Sequence, residues 1–492
     1  MERRKLIENP YRPGAGHLPP FLAGRLDEQR FFKRMLHQQP VTENVLITGL
    51  RGVGKTVLLR HMRHMAEHND WLWVGNDLSE SAALTEERLA LRILTDLAAA
   101  IAKKLSEPMT EGAEPTSSLK HRLDRMQQTE GDALAYDALK AQYEQAPGLP
   151  SDRLKAVLTR VTSFVQKARL GGIVLAYDEA QCLSDRADHN EFPMSMLIES
   201  VAAMQRGEGF SPCLLILSGL PHVFDALTAT RTYTERMFRV MTLDRLSRED
   251  TWAALTTPLA ALMPPLHASD SLLNKVCELT GGYPYLIQFF GSELVEQLLE
   301  NGGTLATDQF PSPSTLDRLD AGLFAARWNR TSDRQREFLS LIASRQNARS
   351  ADFSAGDILE QPGASAEFGG PVANQMLLAL AERGLIYRTR HGRYAFTVPM
   401  SELMIQRRMS REQDVEASWQ SPPPQMARKA EPPAKPKKSA GSAEPRSSRP
   451  AQHTAECTAA PAHITAAMTF GHSDLPGGSG RASLKGMLSC GH

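Results

Sequence analysis

The chain has little cysteine and no pattern in it. Its five cysteines (Cys182, Cys213, Cys277, Cys457 and Cys490) are scattered through 492 residues with no C-x-x-C pair. That argues against a zinc site or a disulfide framework and suits a reducing cytosol. Neither charge is in excess, since 56 Lys and Arg balance 56 Asp and Glu. No whole-protein field therefore draws the chain to nucleic acid or membrane, and any such contact must come from a local patch. No apolar run approaches the length of a membrane span. The opening "MERRKLIENPYRPGAGHLPP" has basic residues but no apolar stretch behind them, so no signal peptide is expected and a cytoplasmic location is. An apolar fraction of 41% and a charged fraction of 23% are ordinary for a globular chain, and the length suits about three domains.

One short stretch carries the first chemistry. In "VLITGLRGVGKTVLLR" an apolar run enters a glycine-rich turn, which gives way to a helical pattern. Gly49, Gly54, Lys55 and Thr56 fit G-x-x-x-x-G-K-[ST], the phosphate-binding loop. Those glycines, with Gly52, let successive backbone N–H groups turn inward on an anion, and the helix opening at Lys55 adds its positive end. Val53 and Val57 complete the stretch expected to line the nucleotide. Lys55 is expected to reach the β- and γ-phosphates, and Thr56 to offer its hydroxyl to Mg²⁺.

A second stretch, "IVLAYDEA", is an apolar strand ending in Asp178-Glu179. In P-loop NTPases a carboxylate at the end of such a strand holds Mg²⁺. Asp178 is expected in that role, with Glu179 placed to polarise the attacking water. An acidic pair at a helix start would be favoured by the dipole alone; the phosphate loop upstream decides for the catalytic reading. The nucleotide is ATP rather than GTP, because no Asn/Thr-Lys-x-Asp base-reading motif is present.

Strand-like runs at 71–77, 171–181, 213–221 and 238–243 alternate with helical patterns at 85–105 and 153–168. That alternation predicts an α/β fold: a parallel sheet flanked by helices. The expected division is a nucleotide-binding core over 1–245 with an insertion at about 106–151, a helical lid over 246–312, a third domain over 313–412 and a disordered tail over 413–492. The tail is rich in Pro, Ser, Ala and Lys and too poor in apolar residues to offset its chain entropy. In the third domain Ser332-x-x-Gln335 and Ser354-x-x-Asp357 are capping boxes, the second with Phe353 and Ile358 as a hydrophobic staple. A helix over 372–383 stops at Gly384, and "LIYRTR" and "RYAFTV" around His391-Gly392 read as a β-hairpin. Three helices and a hairpin predict a winged helix-turn-helix.

"FLAGRLDEQ", the phosphate loop, "YDEAQ", "LSGLP" and "TGGYPYLIQ" stand in an order that resembles the AAA+ ATPases. The likeness is to the origin-recognition-like branch and its signal-transduction (STAND) relatives. It covers about 9–300, and the winged helix extends it to about 409. The resemblance implies that Gly24 and Arg25 lie near the adenine, that Ser218 senses the γ-phosphate, and that Asn76 restrains the catalytic glutamate. It also implies that Arg236, chosen over Arg231 and Arg239, reaches a neighbouring subunit's γ-phosphate, so a nucleotide-dependent homo-oligomer is expected. One departure matters. The origin-recognition type carries an arginine in the lid motif, whereas Gly281-Gly282-Tyr283-Pro284-Tyr285 has none through Phe290. That resembles the glycine-x-proline signature of the signal-transduction ATPases, whose proline, here Pro284, packs near the base. How such a lid senses hydrolysis is left open.

Two outputs stand for the winged helix. It can contact DNA, with Arg388, Arg390 and Arg393 on phosphates, Tyr387 and Tyr394 interleaved, and Asn374 and Gln375 on base edges; no acidic residue lies between 383 and 401. DNA association is the first expectation; the alternative is docking of a protein, a locally encoded partner being the expected kind. The first output implies replication, transposition or plasmid maintenance, and the second a regulatory or defence switch.

Overall fold

The computed structural model describes residues 8–420 except 15, 39, 84, 107–122, 124–125, 127–130, 208–211, 231–233, 346–351, 362–363 and 365–367. Its first part is a five-stranded sheet, with strands β1 (Asn44–Gly49), β2 (Leu72–Val74), β3 (Ile173–Tyr177), β4 (Cys213–Gly219) and β5 (Phe238–Leu243). The spatial order is β2-β3-β4-β1-β5 and every pairing is parallel. Both faces are covered, which is why β1, β3 and β4 read as unbroken apolar runs rather than as alternation.

Successive side chains of these strands enter two different cores. Leu46, Leu175, Leu215 and Leu217 join one, and Val45, Ile47, Val174 and Ile216 join the other. On the first face lie α3 (Glu86–Ser106), α4 (Tyr136–Gln145), α5 (Pro150–Ala168) and α6 (Pro193–Arg206). On the second lie α1 (Leu26–Leu36) and α2 (Lys55–His68). Each buried leucine or isoleucine contributes about 1.5–3 kcal/mol relative to exposure. Two short helices, α7 (Val223–Thr230) and α8 (Thr234–Met237), lead into β5.

The second strand is shorter than the 71–77 run predicts. After Val74 the chain leaves the ladder and returns through a single bridge between Asp77 and Asp178. That detour sets Asn76 and Asp77 beside the end of β3.

The expected helical stretch after β5 is three helices, α9 (Arg248–Ala260), α10 (Asp270–Thr280) and α11 (Pro284–Glu300). They share the second core, with Leu255, Leu272, Leu286 and Phe290 all buried. Gly282, between α10 and α11, has φ 73, and a Cβ on it would stand 2.2 Å from the Leu246 carbonyl oxygen. Only glycine lets the lid's turn lie against the strand exit.

Beyond α12 (Pro313–Leu319) and α13 (Ala325–Trp328) come α14 (Asp333–Ser344), α15 (Ala355–Leu359) and α16 (Gly370–Glu382), then the antiparallel hairpin of β6 (Ile386–Arg390) and β7 (Arg393–Phe396). Both capping boxes form: Ser332 Oγ accepts from the Gln335 N–H at 3.3 Å, and Ser354 Oγ from the Asp357 N–H at 3.3 Å. Phe353 and Ile358 are buried together in a third core. The third helix starts at Gly370, before the expected 372, because Pro371 suits the first turn of a helix.

Helix α17 (Ser401–Gln420) runs past 413, where the tail was expected to begin. Helix-compatible residues continue through Gln420, and the Pro422-Pro423-Pro424 run follows. The rest of the expected tail lies outside the described residues. Among the described residues, no helix is long and apolar enough to cross a membrane.

Candidate active site

The strand order builds the site. β4 sits between β3 and β1, with Ile47 opposite Ser218 and Tyr177 opposite Leu217. The C-terminal ends of three neighbouring strands therefore bring the phosphate loop, Ser218 and Asp178 together. This is the crevice at carboxyl strand ends where open α/β sheets take ligands.

Asp178 is the hub. It is 2% exposed. Thr56 Oγ1 donates to its Oδ2 at 2.5 Å, and Ser218 Oγ donates to its Oδ1 at 2.7 Å. The backbone N–H of Glu179 donates to the same Oδ1 at 2.9 Å. A buried carboxylate carrying three donors is held in one orientation. The Ser218 hydroxyl is thus committed to Asp178.

Lys55 opens α2 with Gly54 before it, and its Nζ donates to the carbonyls of Gly49 and Leu50 at 2.9 Å each. Burial lowers the pKa of its ammonium, and the carboxylates of Asp178 and Glu179 oppose that shift. Gly52 has φ 83, and a Cβ there would meet the Tyr283 hydroxyl at 2.5 Å. That hydroxyl donates to the Arg51 carbonyl, so the lid touches the phosphate loop directly. Val53 is buried beneath the loop and Val57 is half-buried. Pro284 begins α11 and is half-buried.

Gly24 and Arg25 both take left-handed backbone, φ 65 and 62. The Arg25 guanidinium donates to the Val53 carbonyl at 3.2 Å and to the Asp244 carbonyl. It thus ties the chain before α1 to the phosphate loop and to the exit of β5.

Glu179 is exposed at the mouth with φ 56, a conformation that costs a non-glycine residue about 1–3 kcal/mol. The expectation that Asn76 restrains it is not met: Asn76 Nδ2 donates to Asp96 Oδ1 at 3.4 Å. Asp96 is a buried carboxylate, also paired with Arg92 at 3.0 Å, and it competes for the amide. Gln181 takes the place instead. Its Nε2 donates to Glu179 Oε2, while its Oε1 accepts from the Leu220 N–H at 3.2 Å. The D-E-A-Q spacing was the signal, and sequence reasoning passed over it. Asp77 was also missed. Burial and the neighbouring charge of Asp178 raise its pKa.

Arg236 is exposed on α8, and among the described residues no hydrogen bond or ion pair joins it to this cluster. Arg239 points elsewhere: its guanidinium lies 5.4 Å from the Phe31 ring centroid, with Arg34 over the same ring at 5.8 Å. Arg231 lies outside the described residues.

The residues expected to meet DNA are brought less close to that task. Arg390 and Arg393 pair with Asp352 at 3.3 and 2.9 Å, and Arg393 also with Asp357 at 3.3 Å. Arg388 donates to His391 Nδ1. The acid-free stretch from 383 to 401 is thus supplied with acids from the segment around α15. Tyr394 is buried in the third core and Tyr387 is half-buried, so they do not form an exposed stacking face. Asn374 Nδ2 donates back to the Gly370 carbonyl at 3.0 Å, and Gln375 is exposed.

The family described as "AAA ATPase domain" matches residues 22–202, and "Domain of unknown function (DUF8462)" matches residues 321–403. No curated protein matches the chain. Several solved structures are similar. One is the ORC2 protein of Aeropyrum pernix in its ADPNP-ADP complexes, at 13% identity, covering 81% of this chain and 98% of that one, TM-score 0.49. Another is the Walker-type ATPase PABY2304 of Pyrococcus abyssi, at 17% identity, 78% and 96% coverage and TM-score 0.49. A third is Cdc6p of Pyrobaculum aerophilum, at 13% identity, 81% and 97% coverage and TM-score 0.40. Superposition at that level carries no information on substrate or partner. The phosphate loop and the Asp178-Glu179 strand end both fall inside the matched stretch 22–202, so the part of the chain that holds the candidate site is similar to the AAA ATPase domain.

Proposed function

We propose that the chain binds ATP with Mg²⁺ in the phosphate loop, hydrolyses it slowly, and uses the nucleotide state to switch a C-terminal docking module. The observation that carries this reading is the convergence on Asp178 of Thr56, Ser218 and the Glu179 N–H at 2.5, 2.7 and 2.9 Å. Thr56 and Asp178 offer hard oxygen donors already in contact, which fits Mg²⁺, and those two would hold it. When bound, the ion would supply charge neutralisation for the nucleotide's phosphates. Lys55 leaves its two carbonyl partners to meet the phosphates. Ser218 holds Asp178 and stands where it registers the γ-phosphate. Glu179 accepts the proton of the attacking water, steadied by Gln181. Arg25 and Pro284 flank the base, and Arg236 completes a neighbour's site. The division into a core to about 245, a lid to about 312 and a winged-helix module to about 412 belongs to the same reading.

Lys55→Ala is the test of binding. Without the ammonium, affinity for a fluorescent ATP analogue is expected to fall at least about tenfold, since charge-assisted hydrogen bonds of this kind carry roughly 1.5–3 kcal/mol. Equal affinities for wild type and variant would remove the phosphate-loop reading.

For the output, the pairing of Arg390 and Arg393 with Asp352 favours a protein partner over DNA. Arg393 also holds the Asp352 carboxyl below its usual range, so the pair stays ionised at neutral pH. DNA affinity is therefore expected to be weak, with a shallow dependence on salt. Asp352→Ala frees the Arg390 guanidinium, while Arg393 keeps its pair with Asp357. If the wing meets phosphates at all, the slope of log affinity against log salt should steepen by about 1. A steep slope already present in wild type would return the module to DNA, and with it the replication, transposition or plasmid-maintenance reading.

A further inference from the structure

β5 lies at one edge of the sheet. It pairs with β1 on one side, and among the described residues no strand pairs with its other side. Edge strands are commonly blunted by proline, by a bulge or by being very short. β5 has none of these. "FRVMTL" is six residues long, free of proline, and in unbroken register with β1 from Phe238 opposite Asn44 to Leu243 opposite Gly49. Its outer row of backbone N–H and C=O groups is a continuous template for one more strand.

A groove of about 880 Å³ runs between this edge and α1. Its acids are already matched: Asp27 by Arg30 at 3.2 Å, and Glu28 by Arg25 at 3.9 Å. Its other cations are not. Lys33, Arg34 and Arg239 are exposed and line the groove, and none of them forms an ion pair among the described residues. Arg34 and Arg239 instead lie over one ring, Phe31, at 5.8 and 5.4 Å from its centroid. Contact with a ring neutralises no charge, so both guanidinium groups still call for carboxylates.

The two faces of β5 differ, because successive strand residues point opposite ways. Arg239, Met241 and Leu243 share one face, and Met241 and Leu243 enter the core that α1 covers. Val240 and Thr242 share the other face and are exposed. A strand laid along this edge keeps the same alternation. It would set acids beside Arg239 and Arg34, and apolar residues beside Val240. Charge also narrows the occupant. The segment beyond Gln420 carries more Lys and Arg than Asp and Glu, and a second copy would bring two cationic edges together. Neither suits this groove. A nucleic acid strand matches the cations but has no backbone amides to pair with an open ladder.

We propose that the outer edge of β5 and the groove beside α1 dock an extended acidic segment of a partner protein, which joins the sheet as one more strand with alternating acidic and apolar residues. The proposal stands apart from the nucleotide reading, since it uses none of the residues assigned to ATP.

The test is fluorescence anisotropy of the full chain with two short labelled peptides, one alternating Glu and Val and the other alternating Lys and Val. The Glu-Val peptide is expected to bind and the Lys-Val peptide to stay free. Arg34→Glu combined with Arg239→Glu should weaken the Glu-Val peptide at least about tenfold and bring in the Lys-Val peptide, because like charges facing across an interface repel. A variant that exchanges one peptide for the other is folded. Should Arg239→Glu disturb the strand, Lys33→Glu with Arg34→Glu, both exposed on α1, carries the same comparison. N-methylation of the Glu residues, or of the Val residues, blocks one backbone edge of the peptide and keeps its charge. One of the two methylated peptides should lose binding and the other keep it. If both keep it, association is by charge alone and strand addition is overturned. Equal affinity for the Glu-Val and Lys-Val peptides, or none for the Glu-Val peptide, overturns the proposal as well. Tighter binding of a single-stranded DNA oligomer, abolished by the same charge reversal, would assign the groove to nucleic acid instead.

Discussion

Glu179→Gln is expected to leave ATP bound and uncleaved. Turnover should fall by about 10²–10⁴, the usual contribution of a positioned general base, while affinity for a fluorescent ATP analogue stays at the wild-type value. The geometry makes the split clean. The Glu179 side chain is exposed at the mouth and touches neither Lys55 nor Thr56 among its hydrogen-bond partners. Its backbone N–H, which holds Asp178 at 2.9 Å, is untouched by the substitution. The amide oxygen of the variant can still accept from Gln181, so the φ 56 conformation keeps its support. What is lost is basicity. Phosphate release measured in a single turnover reads the effect directly. Release at the wild-type rate would mean that Glu179 is a helix-start acid and nothing more. Loss of binding and turnover together would assign it to the structure of the strand end.

How much of this was legible beforehand depended on the range of the interaction. The phosphate loop is local: Gly49 to Thr56 act within eight residues, so spacing alone exposes them. The strand end at Asp178-Glu179 is nearly as local, because an unbroken apolar run ending in two acids has few other uses. Five strands and their parallel pairing followed from alternation with helices, whereas their spatial order did not. Partners fixed by tertiary contact could not be read that way. Asn76 looked placed to face Glu179, but Asp96, twenty residues on and buried, takes its amide. The arginines of the wing looked free because the stretch 383–401 has no acid, yet Asp352 and Asp357 arrive from an earlier segment.

Arg236→Ala is expected to cut turnover by about 10³–10⁵, the range an arginine finger supplies by stabilising charge on the transferring phosphoryl group. ATP affinity should remain near wild type. The residue lies exposed on α8, and among the described residues no hydrogen bond or ion pair joins it to Lys55, Thr56, Asp178 or any other carboxylate. A surface arginine so placed adds little to folding, since exposed charges contribute roughly 0–1 kcal/mol; a loss of several orders of magnitude can come only from action in trans. Two consequences follow from that placement. Specific activity should rise with protein concentration, because the site is completed by a neighbour. Mixing Arg236→Ala with Glu179→Gln, each inactive alone, should restore part of the activity, since a mixed interface sets an intact Glu179 against an intact Arg236. Rescue must also fall again on dilution if assembly is its cause. An activity flat across dilution, with no rescue on mixing, would mean that the chain works alone. The neighbour would then have no part in the chemistry, and the switch would act through the lid, Tyr283 and the module docked on it.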